Sequence, residues 1–419
     1  MRLMRSCLAL TVLGIMAACS GEPTPPNGPP QQINALPRSL SSGETRVIAA
    51  ANRFAPSLFA AINKEQRAVN VFVSPLSASM ALGMLFNGAS GTTMDEMRTT
   101  LGFGAMERAE IMSSYRDVIA LLRSVDSKVE FRIANSVWYD NRFAPAIEAS
   151  FLSDAKQYFD AGSAGLDFAN PAAVATINGW VKQSTNGKIE SIVDNIASEI
   201  VMLLINAIYF KGDWRDAFET ARTKPGPFTT LDGSQVSAPM MSRSGSMRLG
   251  SMDGRQMVEL GYGGDAFVMD LVLPRAGEDV NSMVESLTPN SWSAAVASLA
   301  PNLVDLVMPR FKLQWEKTLN GELSSMGMPT AFLEGRADFT RVSSSRGRDL
   351  YISFVKQKTF VDVNEAGTEA SAVTGVGVGV TSAPIRTAVT FDRPFFFVIR
   401  ERLSGTILFM GKIIRPPTS

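Results

Sequence analysis

The chain has 419 residues, 45% hydrophobic, 19% charged and 8% aromatic, with 40 basic residues balancing 40 acidic ones. That is ordinary globular composition, with no gross charge bias toward nucleic acid or an anionic surface. Histidine is absent and cysteine occurs only as Cys7 and Cys19, which excludes Ser-His-Asp and Cys-His catalysis, His-ligated zinc, a Cys metal cluster and a disulfide framework. Only carboxylate or Ser-Lys chemistry would remain for an enzyme, and no motif for either is present.

The N-terminus reads as a secretory signal over residues 1–18. Arg2 and Arg5 precede the short apolar run Leu8–Met16, which is too short for a permanent membrane span. Met16-Ala17-Ala18-Cys19 is similar to a bacterial lipobox, in which small residues precede a cysteine that is lipidated and becomes the mature N-terminus. The alternative is ordinary cleavage after the Ala-rich site, with Cys19 incidental. Removal of residues 1–18 leaves 38 basic and 40 acidic residues, a net charge of −2. Residues 20–37 hold six of the 22 prolines. Such a stretch prefers extended conformations and builds no core. Residues 19–42 are therefore expected to form a tether.

Val47, Ile48, Ala51, Phe54, Ala55, Leu58, Phe59 and Ile62 recur at helical spacing. Pro56 inside that pattern predicts a kink, or a stop and restart. Ser74-Pro75 is a helix start, and the helix over Leu76–Asn87 ends at Gly88. Thr93-Met94-Asp95-Glu96 matches a capping box for the next helix. Ile200–Phe210, apolar but for Asn206, reads as a strand buried on both faces. Val304–Met308 is a further strand, ended by Pro309. Phe395–Ile399 and Thr406–Met410 form two more, joined by hairpin chemistry at Leu403-Ser404-Gly405. There is no βαβ alternation, no phosphate-binding glycine loop and no internal repeat. Helices first and strands later predict an α+β fold.

Several segments resemble the serpins. They are Asn70-Val-Phe-Val-Ser-Pro-Leu-Ser77, Ile177-Asn-Gly-Trp-Val-Lys-Gln-Ser-Thr-Asn-Gly-Lys-Ile189 and Leu204-Ile-Asn-Ala-Ile-Tyr-Phe-Lys-Gly-Asp-Trp214. Asn364-Glu-Ala-Gly-Thr-Glu-Ala-Ser-Ala-Val-Thr374, Phe391-Asp-Arg-Pro-Phe-Phe-Phe397 and Gly411-Lys-Ile413 follow in family order. The resemblance implies one domain over residues 43–419, with three β-sheets, about nine helices and an exposed reactive loop at about 365–390. It also implies a suicide substrate rather than an enzyme. A target serine protease, or in some members a cysteine protease, cleaves the loop and forms an acyl-enzyme. The loop then inserts as a strand into the main sheet and distorts the trapped protease. No cofactor is implied. The molecule is expected to be a monomer, with loop-sheet polymers as a liability.

An inserted strand buries alternate side chains. From Thr368 one set is Thr368, Ala370, Ala372, Thr374, Val376, Val378 and Val380, all small or β-branched. The other is Glu369, Ser371, Val373, Gly375, Gly377, Gly379 and Thr381, with Glu369 its only charge. The first proline is Pro384. About 15 such residues extend roughly 50 Å. The resemblance assigns the hinge to Glu365, Gly367, Thr368, Glu369, Ala370, Ala372 and Thr374. Ala366 stands where a charged residue is usual. Counting Glu365 as the first of seventeen puts the scissile bond at Thr381-Ser382. Counting back from Pro394 reaches Ala383, so the range is Val380 to Ala383. Every candidate is small or modestly apolar, which suits an elastase-like or subtilisin-like pocket. Trypsin-like specificity would want Arg or Lys, and Arg386 lies beyond Pro384.

Ser74, Ser77 and Asn206 match the shutter, where polar groups bridge strands that must part. Gln357 takes the place often held by histidine, and an amide both donates and accepts. Trp214 matches the breach where the loop enters. Arg310 and Glu365 are placed to pair at the top of the sheet, worth about 0–1 kcal/mol if exposed. Arg341, Arg346 and Arg348 read as a solvated loop rather than a polyanion site. The functional expectation is a secreted inhibitor, anchored to the cell envelope through Cys19 on a periplasmic or outer face, or extracellular. The rival is a non-inhibitory serpin that serves as a binding module.

Overall fold

The computed structural model describes residues 31–368 and 386–417. Over these residues the helices are α1 (Ser42–Glu65), α2 (Pro75–Gly88), α3 (Gly91–Thr100), α4 (Arg108–Ser124), α5 (Ala149–Phe159), α6 (Ala172–Ser184), α7 (Val280–Glu285), α8 (Pro289–Ala297) and α9 (Asn320–Ser325). The strands are β1 (Val71–Val73), β2 (Val129–Asp140), β3 (Gly162–Leu166), β4 (Met202–Asp213), β5 (Lys224–Thr229), β6 (Gln235–Met252), β7 (Arg255–Tyr262) and β8 (Phe267–Leu273). They continue with β9 (Ala300–Pro309), β10 (Phe311–Thr318), β11 (Lys356–Val363), β12 (Gly367–Thr368), β13 (Thr387–Thr390), β14 (Phe395–Glu401) and β15 (Ile407–Ile413).

The helix α1 starts on a capping box. Ser41 Oγ accepts from the Glu44 N–H at 3.1 Å, and Glu44 Oε2 accepts from the Ser41 N–H at 2.7 Å. Its expected apolar face is buried throughout. Of the two outcomes expected at Pro56, the stop and restart does not occur. The helix is continuous, and Pro56 is buried within it, so tertiary packing outweighs the lost backbone hydrogen bond. Ser74 caps α2 as read, its Oγ accepting from the Ser77 N–H at 3.2 Å. The capping box at Thr93 is not realised. Helix α3 starts at Gly91, Thr93 Oγ1 instead accepts from the Asp338 N–H at 2.9 Å, and Glu96 binds Thr330.

Strands gather into a six-stranded sheet, ordered β10-β11-β12-β4-β2-β3, and a nine-stranded ladder, β1-β15-β14-β8-β7-β6-β9-β13 with β5 on β6. The expected three sheets meet as two ladders because β6 is 18 residues long. It pairs with β5 at its start, with β9 over Met240–Leu249 and with β7 over Arg248–Met252. The hairpin β14-β15 forms as read, with Gly405 at φ +73° in its turn.

The main core fills the space between the sheets and under α1, α2 and α4. A second cluster, including Trp138, Ile177, Val181, Leu203 and Ile205, seals α6 onto the outer face of the six-stranded sheet. The segment read as tether reaches the domain before residue 42. The Ile33 N–H donates to Gly264 O at 2.7 Å, Arg402 donates to Ile33 O at 2.6 Å, and Gln32 donates to Asp265 at 2.7 Å.

Candidate functional site

The site lies between β4 and β11. Among the described residues no register joins these strands directly. They are linked through the two-residue β12, which is antiparallel to both: Gly367 faces Asp213, while Thr368 faces Gly212 on one side and Val363 on the other. Strands flanking a third lie about 9–10 Å apart. The sheet is therefore spaced at its upper end for a strand between β4 and β11.

The hinge is fixed by a compact turn. The Asn364 N–H donates to Gly367 O at 2.9 Å, and Asn364 Oδ1 accepts from the Ala366 N–H at 3.0 Å. Ala366 contributes its carbonyl, which accepts from the Trp214 N–H at 2.8 Å. Its departure from a charged residue thus leaves that bond untouched. Gly367 runs so close to β4 that a Cβ would stand 2.3 Å from Gly212 O, so a side chain is excluded there. Glu365 is buried rather than exposed. Thr223 Oγ1 donates to it at 2.7 Å, whereas Arg310 stays 3.7 Å away with its side chain 40% exposed. The expected surface pair is thus a weak companion to a buried hydrogen bond.

Trp214 stacks on Tyr262 at 4.4 Å between centroids and donates Nε1–H to Asn364 O at 2.9 Å. Tyr262 is fully buried, and its hydroxyl is 2.8 Å from Thr368 Oγ1. Burial pushes the Tyr262 hydroxyl far above its ordinary pKa, so it stays protonated.

Lower in the sheet the four shutter residues come together. Gln357 on β11 accepts from the Ser74 N–H at 2.8 Å and donates to Ser74 O at 2.9 Å. Ser74 Oγ donates to Leu408 O at 2.8 Å. Ser77 Oγ donates to Asn206 Oδ1 on β4, and Asn206 Nδ2 donates to Asn135 Oδ1 on β2 at 2.7 Å. The first turn of α2 thus holds β4 and β11 separately, through different residues. A cavity of about 130 Å³ lies beside this network, lined by Leu82, Leu85, Met202, Leu204, Ile352 and Phe354 among others.

Cys19, Glu369, Ala370, Ala372, Thr374, Val380, Thr381, Ser382 and Ala383 lie outside the described residues. Sequence reasoning missed Tyr262, Thr223 and Asn135. Tyr262 ends a strand of the other ladder, and nothing local marks it as facing the hinge. Among the described residues no helix is long and apolar enough to cross a membrane, and no group of three His, Cys, Asp or Glu is placed to hold a metal.

Residues 49–416 match the family described as serpin (serine protease inhibitor). The chain is 34% identical to neuroserpin of Gallus gallus over 361 residues, 83% of this chain and 86% of that one. It is 33% identical to leukocyte elastase inhibitor of Homo sapiens over 394 residues, 90% and 99% of the two chains. The structure of tengpin, a thermophilic serpin in its native state, superposes with a TM-score of 0.80 at 28% identity, covering 90% of this chain and 95% of that one. The chain belongs to the serpin family.

Proposed function

We propose that this serpin is inhibitory, a suicide substrate that traps serine proteases of elastase-like or subtilisin-like preference. One observation carries the reading. Thr368 sits between β4 and β11 with its side chain in the core, 2% exposed. A strand continued from that contact would inherit its register and parity. Continued through an inserted strand, the two registers would bring residue 370 between Phe210 and Val361, and residue 374 between Asn206 and Gln357. The inward set is then Ala370, Ala372, Thr374, Val376, Val378 and Val380, none charged and none larger than valine. Burial of this set favours insertion. Thr374 would meet the two shutter amides with a hydroxyl able to donate and accept.

In the proposed reaction the protease serine Oγ attacks the Thr381 carbonyl carbon. The Thr381–Ser382 C–N bond breaks, an ester forms, and the serine proton passes through the protease's own base to the Ser382 amine. Insertion of residues 368–381 would carry the acylated Thr381 about 43 Å along the sheet at ~3.3 Å per residue. The same chemistry extends to a cysteine protease as a thioester. The leukocyte elastase inhibitor among the relatives supports an elastase-like target.

We also propose residues 1–18 as a cleaved signal, and Cys19 as a lipid attachment site that holds the domain at an envelope surface through the proline-rich segment. The test of inhibition is incubation with an elastase-type protease followed by a denaturing gel. A denaturant-resistant band near the summed mass supports the reading. Complete loop cleavage without such a band refutes it and leaves a binding module. Radiolabelled-lipid incorporation lost in Cys19→Ser tests the anchor, and unchanged labelling would remove it.

A further inference from the structure

We propose that residues 32–41 form a strap that fixes where the tether leaves the domain, at its reactive-loop end. The anchored serpin thereby keeps its loop in the layer next to the lipid surface and takes proteases bound there. The proposal rests on the inhibitory and lipid-anchor readings and adds an orientation to them. The strap is seated on the turn between β7 and β8. The Ile33 N–H donates to Gly264 O at 2.7 Å, and Gln32 donates to Asp265 Oδ2 at 2.7 Å. Arg402 staples the two segments together, donating from Nη2 to Ile33 O at 2.6 Å and from Nε to Asp265 O at 2.7 Å. A Cβ at Gly264 would stand 2.8 Å from Ile33 Cδ1, so glycine leaves room for the isoleucine. Further along, Leu36 and Leu40 pack against the main core. Arg38 forks onto the buried Glu44 at 2.6 and 2.8 Å. The strap is thus held at its start and along its length.

That seat lies at the hinge end of the six-stranded sheet. The Gly263 N–H donates to Asp213 O at 2.9 Å, and Asp213 faces Gly367 in register. The opposite end of β4, at Met202, is about 36 Å away at ~3.3 Å per residue. From Cys19 to Gln32 there are 13 chain steps, which span at most about 47 Å. The hinge end is therefore confined to roughly that distance from the anchored surface, while the Met202 end is free to point away from it. Without the strap the tether would run on to Ser41, 22 steps from Cys19, with a reach of about 79 Å. It would then pivot at the start of α1 rather than beside the hinge. A short tether that ends beside the loop gives a protease on the same surface a high effective concentration of loop.

The test uses the lipidated full chain in vesicles that carry an acceptor-dye lipid. A donor dye is placed on one engineered cysteine, since a lipidated Cys19 has no free thiol. The positions are Ser382→Cys in the loop and Ser198→Cys, exposed and four residues before β4. Each is made with and without the strap-breaking set Gln32→Ala, Ile33→Gly and Leu36→Gly. Energy transfer to the lipid should be about twofold stronger from position 382 than from 198, and breaking the strap should remove that difference. Without dyes, an elastase-type protease coupled to the same vesicles should be trapped about threefold faster by the strapped chain than by the strap-broken one. Protease free in solution should be trapped alike by both. Equal transfer from the two positions, or a difference that survives the broken strap, would overturn the proposal with the anchor intact. A chain that does not associate with vesicles would refute the anchor and the proposal with it. A vesicle-bound chain that shows the dye difference but traps neither protease would support the orientation and refute inhibition.

Discussion

Replacing Ala370 by arginine should disable trapping, whereas the same replacement at Glu369 should not. On insertion in the register of Thr368, residue 370 would come between Phe210, 6% exposed, and Val361, 1% exposed. Residue 369 would come between Lys211 and Asp362, both half-buried and polar. Insertion of Ala370→Arg would bury an unpaired guanidinium, and an uncompensated buried charge costs about 3–5 kcal/mol. At 1.4 kcal/mol per tenfold, that is a factor of about 150 to 4,000 against insertion. Both variants lie in the loop and leave the folded body unchanged. The assay is the partition of each variant between denaturant-resistant complex and cleaved, released inhibitor under a fixed excess of protease. Ala370→Arg should be cleaved almost entirely as substrate, and Glu369→Arg should trap within a few-fold of the unsubstituted chain. Equal loss at both positions, or loss at Glu369 alone, would refute the register and with it the parity argument.

Two further outcomes follow from buried groups. Gln357→Leu removes both bonds to the Ser74 backbone and orphans a buried N–H. It should cost about 1–3 kcal/mol, read as a lower urea midpoint at constant slope, and an unchanged midpoint would mean the bridge carries no stability. Lys412 is buried against Asn63, Asn281 and two backbone carbonyls, and burial lowers its pKa to about 8 from 10.5. Between those values the unfolded chain binds more protons, so Lys412's contribution rises with pH, by at most ~1.4 kcal/mol per unit. The stability difference between the unsubstituted chain and Lys412→Met should therefore shift in favour of lysine from pH 8 to pH 10, and a flat difference would contradict the burial argument.

Much of this architecture is local in origin and was readable. Ser74-Pro75 carries its own cap chemistry, the apolar period of residues 47–62 marks its buried face, and Leu403-Ser404-Gly405 supplies the turn between two apolar runs. Two local readings meet the same limit. Proline chemistry allows a stop at Pro56 but packing keeps α1 continuous, and the cap chemistry at Thr93 is captured by a contact to Asp338. The segments assigned to hinge and shutter stand out because their motifs resemble a known family. The partners that give them meaning do not. Tyr262 meets Thr368 from 106 positions away, and Thr223 meets Glu365 from 142. Such contacts depend on how the two ladders cross, and no local period encodes that. Glu365 and Arg310 illustrate the same limit: sequence order placed them together, but only the fold decides that one is buried and bonded elsewhere.

Inhibition as proposed requires the cleaved loop to become a strand between β4 and β11. Amide hydrogen exchange before and after cleavage at the Thr381–Ser382 region tests it most directly. Cleavage should confer strong, lasting protection on the amides of residues 369–378, together with added protection along Met202–Asp213 and Lys356–Val363. Rapid exchange of residues 369–378 after complete cleavage, with those two strands unchanged, would contradict it.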